Sequence, residues 1–216
     1  MDVKSKRRPR GRPPKSENRE NTRRALMDAA AQLIAERGYR GASVNEVLAN
    51  AGLSKGTFYW HFKSKDDLLF ALLDDRLDRP IRQLIEVLRS AGSEEDMAPR
   101  ATELFRQLLE RDPEAIVLEH EYRSLALQRP ELRRRYLERQ EGLRDALAAG
   151  LEIRARHLGA PPFSTPYRDI ATAYLGLMQG LAIDRLIDPE SVPDGLLGET
   201  VALVYQGLVA RAEREG

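Results

Sequence analysis

Beyond residue 25, apolar positions return every three or four residues, the repeat of helices that bury one face. In TRRALMDAAAQLIAERG, Leu26, Ala29, Ala30, Leu33 and Ile34 keep that spacing and Gly38 stops it. SVNEVLANAG follows, with Ser43 three residues before Glu46 in capping-box register, an apolar stripe of Val44, Val47, Leu48 and Ala51, and Gly52 as terminator. A third short helix begins after Ser54, and its Phe58 and Phe62 fall four residues apart on one side. Ser64 and Asp67 open a fourth that reaches at least Asp78, where Pro80 kinks or ends it. Further helices are predicted over 80–91, 97–111, 113–128, 130–158, 166–187 and 194–214. Asp112-Pro113 and Thr165-Pro166 serve as starts, and HLGAPPFST is the clearest break. No strand pattern or internal repeat competes, so the expected class is all-α.

Composition agrees with helix, being rich in Ala, Leu, Glu and Arg and only 6% aromatic. Without cysteine there is no disulfide framework and no thiolate metal site. No apolar run approaches the ~18 residues of a membrane span, and the basic start has no apolar segment behind it. A cytoplasmic protein with no membrane partner is expected. Charge is uneven. Residues 1–24 hold ten basic against three acidic residues, a net +7 in a chain whose total is +1, which leaves −6 for the rest. A basic end on an acidic body points to a polyanion met at one end.

The second and third helices, joined through Gly52-Leu53-Ser54, have the form of a helix-turn-helix. Glycine tolerates the positive φ of the turn. With Phe58 and Phe62 as anchors, Lys55, Gly56, Thr57, Tyr59, Trp60 and His61 remain outside, and Ser54 heads the helix. Small residues at its start allow close approach to base edges, while Tyr, His and Lys can donate to phosphates. The alternative is a small helical subdomain that touches no nucleic acid. In the arm, Arg10-Gly11-Arg12-Pro13 is the core of an AT-hook-like segment. Two arginines suit a narrow minor groove, glycine lets the backbone lie close, and prolines keep the chain extended. The other reading is a generic basic tail.

Residues Thr22 to Leu69, with the blocks AERGY, AGLSKGTFYWHF and KSKDDLL in order and spacing, closely resemble the DNA-binding domain of TetR-family transcriptional regulators. Leu48 departs from the alanine many members carry at a helix contact. The stretch GLAIDRLIDPESVPDGLLGETVALVYQGL is similar to the end of many members. The resemblance implies an all-α homodimer in which three helices form a DNA head, a fourth links it to the body, and the body holds a small-molecule pocket. Carried over by position, Ser43, Lys55, Thr57, Tyr59, His61 and Lys63 become DNA contacts, with Lys55, Gly56 and Thr57 nearest the bases. Trp60 either touches sugar or a thymine methyl or packs against the first or second helix. The implied organisation is a basic arm over 1–18, a helix-turn-helix domain over 19–64 and a ligand-binding and dimerisation domain over 65–216.

In the body, two helices have broad apolar faces. Leu197, Val201, Val204 and Leu208 are widened by Leu196 and Leu203, and Ile170, Tyr174, Leu177 and Leu181 lie beside Leu175, Met178 and Ala182. One side is expected in the core and the other against a second subunit. Tyr122, Tyr174, Met178 and Gln179 are the candidates to line a ligand cavity. Glu119-His120-Glu121 is not a metal site, because adjacent helical side chains diverge, and no cofactor is expected.

An enzyme is disfavoured: there is no glycine-rich phosphate loop, nucleophile elbow or metal-ligand spacing. The expected function is a sequence-specific regulator of transcription that binds a pseudo-palindromic operator as a homodimer. Repression relieved by an unidentified small molecule is the family default. An architectural or non-specific DNA-binding protein working through the arm is the alternative.

Overall fold

The computed structural model describes residues 15–78, 81–82, 85–86, 89 and 97–215, with side chains from residue 19. Helix α1 spans Lys15–Gly41, α2 Val44–Ala51 and α3 Lys55–His61. Helix α4, Lys65–Leu73, widens into a π turn over Asp74–Asp78. The body continues with α5 (Met97–Arg111), α6 (Pro113–Gln128), α7 (Pro130–His157), α8 (Tyr167–Ile187) and α9 (Leu196–Glu215). No strand occurs among the described residues. Of the helix predicted over 80–91, only Ile81, Arg82, Ile85, Glu86 and Arg89 are described; all are helical, and the two isoleucines are buried.

The predicted caps hold because they are local chemistry. Ser43 accepts from the Glu46 amide while Glu46 accepts from the Ser43 amide, the reciprocal capping box. Ser54 accepts from the Thr57 amide and Ser64 from the Asp67 amide. Asp112 caps α6 through the Ala115 amide, with Pro113 in the first turn. At the start of α8 the expectation shifts by one residue: Pro166 takes the cap position and no side chain caps the helix.

Helix α1 differs most from expectation. It begins at Lys15, so residues 15–18, assigned to the basic arm, form its first turn. The rest of the arm, with Arg10, Gly11 and Arg12, lies outside the described residues. At the other end Gly38 interrupts the helix at φ 70°, ψ 166°, backbone that a β-carbon disfavours, and one further turn follows.

Two apolar clusters run through the chain. The first joins α1–α4 to α6 and the start of α7: Leu26, Ala30, Phe58, Leu68 and Leu72 pack with Leu118, Tyr122, Leu125 and Leu132. The second fills the body from Leu77 to Tyr205. Packing therefore does not break at residue 64. The first half of α4 belongs to the head core, and Leu77 in its π turn belongs to the body core.

Within the body, α9 packs most extensively on α5, and α7 on α8. Gly198 of α9 lies so close to α5 that a β-carbon there would overlap the Ala98 carbonyl and the Thr102 hydroxyl. By length and composition alone α8 reaches the range of a marginal membrane span, yet Ile170, Ala171, Tyr174, Leu175, Met178 and Ala182 are buried in this core.

Candidate DNA-binding face and interior cavity

Helix α3 is held from behind. Phe58 and Phe62 are buried in the head core, their rings 5.8 Å apart. Helix α3 ends at His61, so Phe62 anchors from an extended cap residue rather than from the helix itself. The Gly52 turn has φ 65°, the left-handed backbone expected of it. Opposite the anchors, Lys55 and Gly56 are exposed, and Tyr59 and Trp60 each keep 57% of their surface open. Large aromatics so exposed at the end of a seven-residue helix are surface available to a partner. Ser54 and Thr57 share a hydroxyl–hydroxyl bond of 2.9 Å at the helix start. Ser43 and Lys63 are exposed on either side, at the start of α2 and just before α4.

Trp60 packs against α1 through Arg19, whose guanidinium lies 4.0 Å from the ring centroid. Arg23, one turn on, stands over Phe62 at 5.7 Å. The beginning of α1 therefore runs beside the outer face of α3. His61 is partly covered there. Burial, with Arg19 and Arg23 adding to it, holds its pKa below the ordinary histidine value. Near neutral pH it is an uncharged ring that can donate one N–H.

Helix α6 ties head to body through three neighbouring side chains. Glu121 accepts the Tyr39 amide at 2.5 Å, immediately after the Gly38 kink. Tyr122 stacks edge-on against Phe70 of α4, centroids 4.8 Å apart, and its hydroxyl donates to the Leu132 carbonyl at 2.8 Å. Glu119 meets Arg139 of α7 at 2.6 Å, and the same guanidinium grips both oxygens of Asp78 in the π turn at 2.8 Å. This trio is almost wholly buried, with side-chain exposures of 6%, 2% and 5% for Arg139, Asp78 and Glu119. Burial alone would lower the Arg139 pKa, but the two carboxylates raise it above the ordinary value. A second arginine, Arg76, leaves the π turn toward Asp28 of α1 (3.0 Å), Asp112 (3.3 Å) and Glu114 (3.5 Å).

The body encloses a cavity of about 60 Å³ walled by apolar side chains of α5, α7, α8 and α9, with Tyr174 and the buried Arg154 among its lining. A smaller one of about 20 Å³, lined by α6 and α8, carries Glu119, His120, Arg123 and Gln179. Ile81 and Met178 line both. Of the four expected cavity residues, Tyr174 and Met178 line the larger space and Met178 and Gln179 the smaller. Tyr122 lines neither, because its ring is committed to the junction with α4.

The expected subunit face needs correction too. Ile170, Tyr174, Leu197 and Val201 face the chain's own core, and the Tyr174 hydroxyl donates to the Val201 carbonyl at 3.0 Å. What α8 and α9 turn outward is Leu177, Leu181 and Leu208, half-buried, with Leu203 and Val204 exposed. Gly176, Gly180 and Gly207 have open space where a β-carbon would stand.

Residues 26–72 match the N-terminal domain of bacterial regulatory proteins of the tetR family. The HTH-type transcriptional activator FasR of Mycolicibacterium smegmatis is 30% identical over 106 residues, 48% of either chain. A fatty acid metabolism regulator protein of Bacillus subtilis is 28% identical over 128 residues, covering 59% of this chain and 61% of the relative. The chain thus spans about half to three fifths of the length of these curated relatives. Salmonella enterica GusR superposes with a TM-score of 0.72 over 88% of this chain and 96% of its own, at 21% identity, which is a likeness of fold.

Proposed function

We propose that this chain, whose head places it in the TetR family of transcriptional regulators, binds a pseudo-palindromic operator as a homodimer and is released from it when a small molecule enters the body cavity. The observation that carries this reading is α3: a short helix pinned by Phe58 and Phe62, with Lys55, Gly56, Tyr59 and Trp60 facing solvent. That is the presentation a major-groove helix needs, small and cationic at its start and aromatic at its end. Binding, rather than catalysis, is the chemistry these residues offer. A protein seated on duplex DNA excludes others from it, so repression is the simplest output. Since the FasR relative is described as an activator, operator position decides the sign.

The stacking of Arg19 on Trp60 brings the first turns of α1 beside α3. The arm before it therefore joins the molecule near the DNA, and Arg10 and Arg12 are assigned to the minor groove flanking each half-site. Selection of bound duplexes from a random library tests both assignments. The expected result is two inverted half-sites with A·T-rich flanks. Replacing Arg10 and Arg12 by lysine keeps the charge, loses the planar guanidinium, and should weaken the flank preference while sparing the half-sites. Enriched DNA without paired half-sites would point to an architectural protein. Equal loss on A·T-rich and G·C-rich flanks would reduce the arm to a basic tail.

The dimer is assigned to the outward faces of α8 and α9. Val204→Glu places a charge on that face without entering the core. The variant should sediment as a folded monomer and lose on the order of 10²-fold or more in operator affinity, because joint binding of two half-sites multiplies affinity by that order. A folded monomer with wild-type operator affinity would overturn the assignment.

A further inference from the structure

The two cavities that share Met178 differ in character. The larger is lined by side chains such as Ile85, Leu147, Leu151 and Leu175. The smaller ends at the exposed His120, with Arg123 and Gln179 beside it. Met178 and Ile81 stand between them. The Gln179 amide nitrogen is buried and has no hydrogen-bond partner. A buried donor left in this state is destabilising, and an acceptor brought by a ligand satisfies it. Glu119, the one carboxylate of this lining, is engaged by Arg139 and Gln140. Arg123 has no carboxylate at ion-pair distance among the described residues. The smaller cavity therefore offers an amide donor and a cation, and the larger is mostly hydrocarbon, with Tyr174 and the buried Arg154 in its wall.

We propose that the paired cavities take one amphiphile, an unbranched acyl chain with a carbonyl head. The head lies on Gln179 and Arg123, and the chain passes Met178 into the chamber beneath Leu151 and Val201. This rests on the effector reading above and names its ligand class. A straight chain suits a join closed by a single thioether side chain, and methionine, with three rotatable bonds, can swing aside. Both cavities are small, so entry of the chain widens the body. A free carboxylate and an acyl thioester share the carbonyl, and the test separates them.

Calorimetric titration of the full-length protein with octanoic, dodecanoic and hexadecanoic acids, and with their coenzyme A thioesters, below micelle-forming concentrations, examines the assignment. Affinity should climb with chain length, by up to about fourfold per methylene buried, until the inner chamber is filled. Gln179→Leu should weaken every chain by about tenfold. Leu151→Trp, which fills the inner chamber, should weaken only the longer chains; should that variant fail to fold, Met178→Phe narrows the join with the same expectation. Tighter binding of the thioesters gives the polar end to a phosphate-bearing head, and tighter binding of the acids gives it to the carboxylate. Affinity independent of chain length, or Gln179→Leu binding like wild type, would overturn the site. Acyl binding that leaves operator affinity unchanged would uphold the site and overturn the effector reading. Release of the operator by a polar compound, with no acyl binding, would do the reverse.

Discussion

Phe58→Ala should destabilise the protein by about 3–5 kcal/mol, the usual cost of emptying a fully buried aromatic site. Its ring lies in the head core against Phe62 with no solvent exposure, and α3 has only seven residues with no stability of its own. Denaturant melts should show the loss first, and operator binding should fail because α3 is no longer held. Tyr59→Ala should do the opposite. Its side chain is open, so the melt should be unchanged while operator affinity falls by about 1.5–3 kcal/mol, the range of a hydrogen bond to a charged phosphate. A Tyr59→Ala protein with wild-type affinity would remove that residue from the DNA face, and a Phe58→Ala protein with a wild-type melt would remove the anchor.

A loss of similar size, about 3–5 kcal/mol, is expected of Arg139→Met. Removing one partner of a buried ionic group leaves the others charged and uncompensated. Here the remnants are Asp78 and Glu119, both buried, one in the π turn below the head and one in α6. Methionine fills much of the arginine volume, so the loss reports charge rather than a cavity. Made in a background of Asp78→Asn and Glu119→Gln, the same change should cost far less, because no buried charge is then left alone. Equal costs in both backgrounds, measured by equilibrium denaturation, would show that Arg139 acts through packing only. The trio also fixes the end of α4 to α6 and α7, so the single variant is expected to loosen the head on the body and lower operator affinity even at temperatures where both remain folded.

What could be read from the sequence was what neighbouring residues decide. Ser43 with Glu46, Ser54 with Thr57 and Asp112 with Pro113 announce helix starts through bonds of three-residue reach, and Phe58 with Phe62 gives the anchored side of α3. The Arg139 trio joins residues 61 and 20 positions apart, which helical periodicity cannot pair. A signal was nonetheless present. Glu119 interrupts the apolar stripe of Ile116, Tyr122 and Ala126, and Arg139 interrupts that of Leu132, Tyr136 and Leu143. Charges of opposite sign inside two apolar stripes ask for each other. The same limit explains the subunit face. In α9 Leu197 and Val201 turn inward with Tyr205, while Val204 turns outward. A helix apolar on two sides does not say which is inside until its neighbour α5 is placed. Tyr122 was misplaced because a polar segment, EHEYRS, suggests a lined pocket, whereas its members reach separate partners in the head and the body.

The close approach at Gly198 makes α5 and α9 a single splint. With the Ala98 carbonyl and the Thr102 hydroxyl where a side chain would stand, the two helices are in backbone contact at this point. One edge of that splint carries Met97 and Ala101 into the cavity wall, and the other carries Val204 to the outer surface. In the proposed dimer, a ligand that displaces Met97 would move α5 and α9 together, and with them the face assigned to the second copy. On that proposal, the quantity a ligand sets is the tilt of one copy against the other, and through it the span between two recognition helices that must match the fixed helical repeat of DNA.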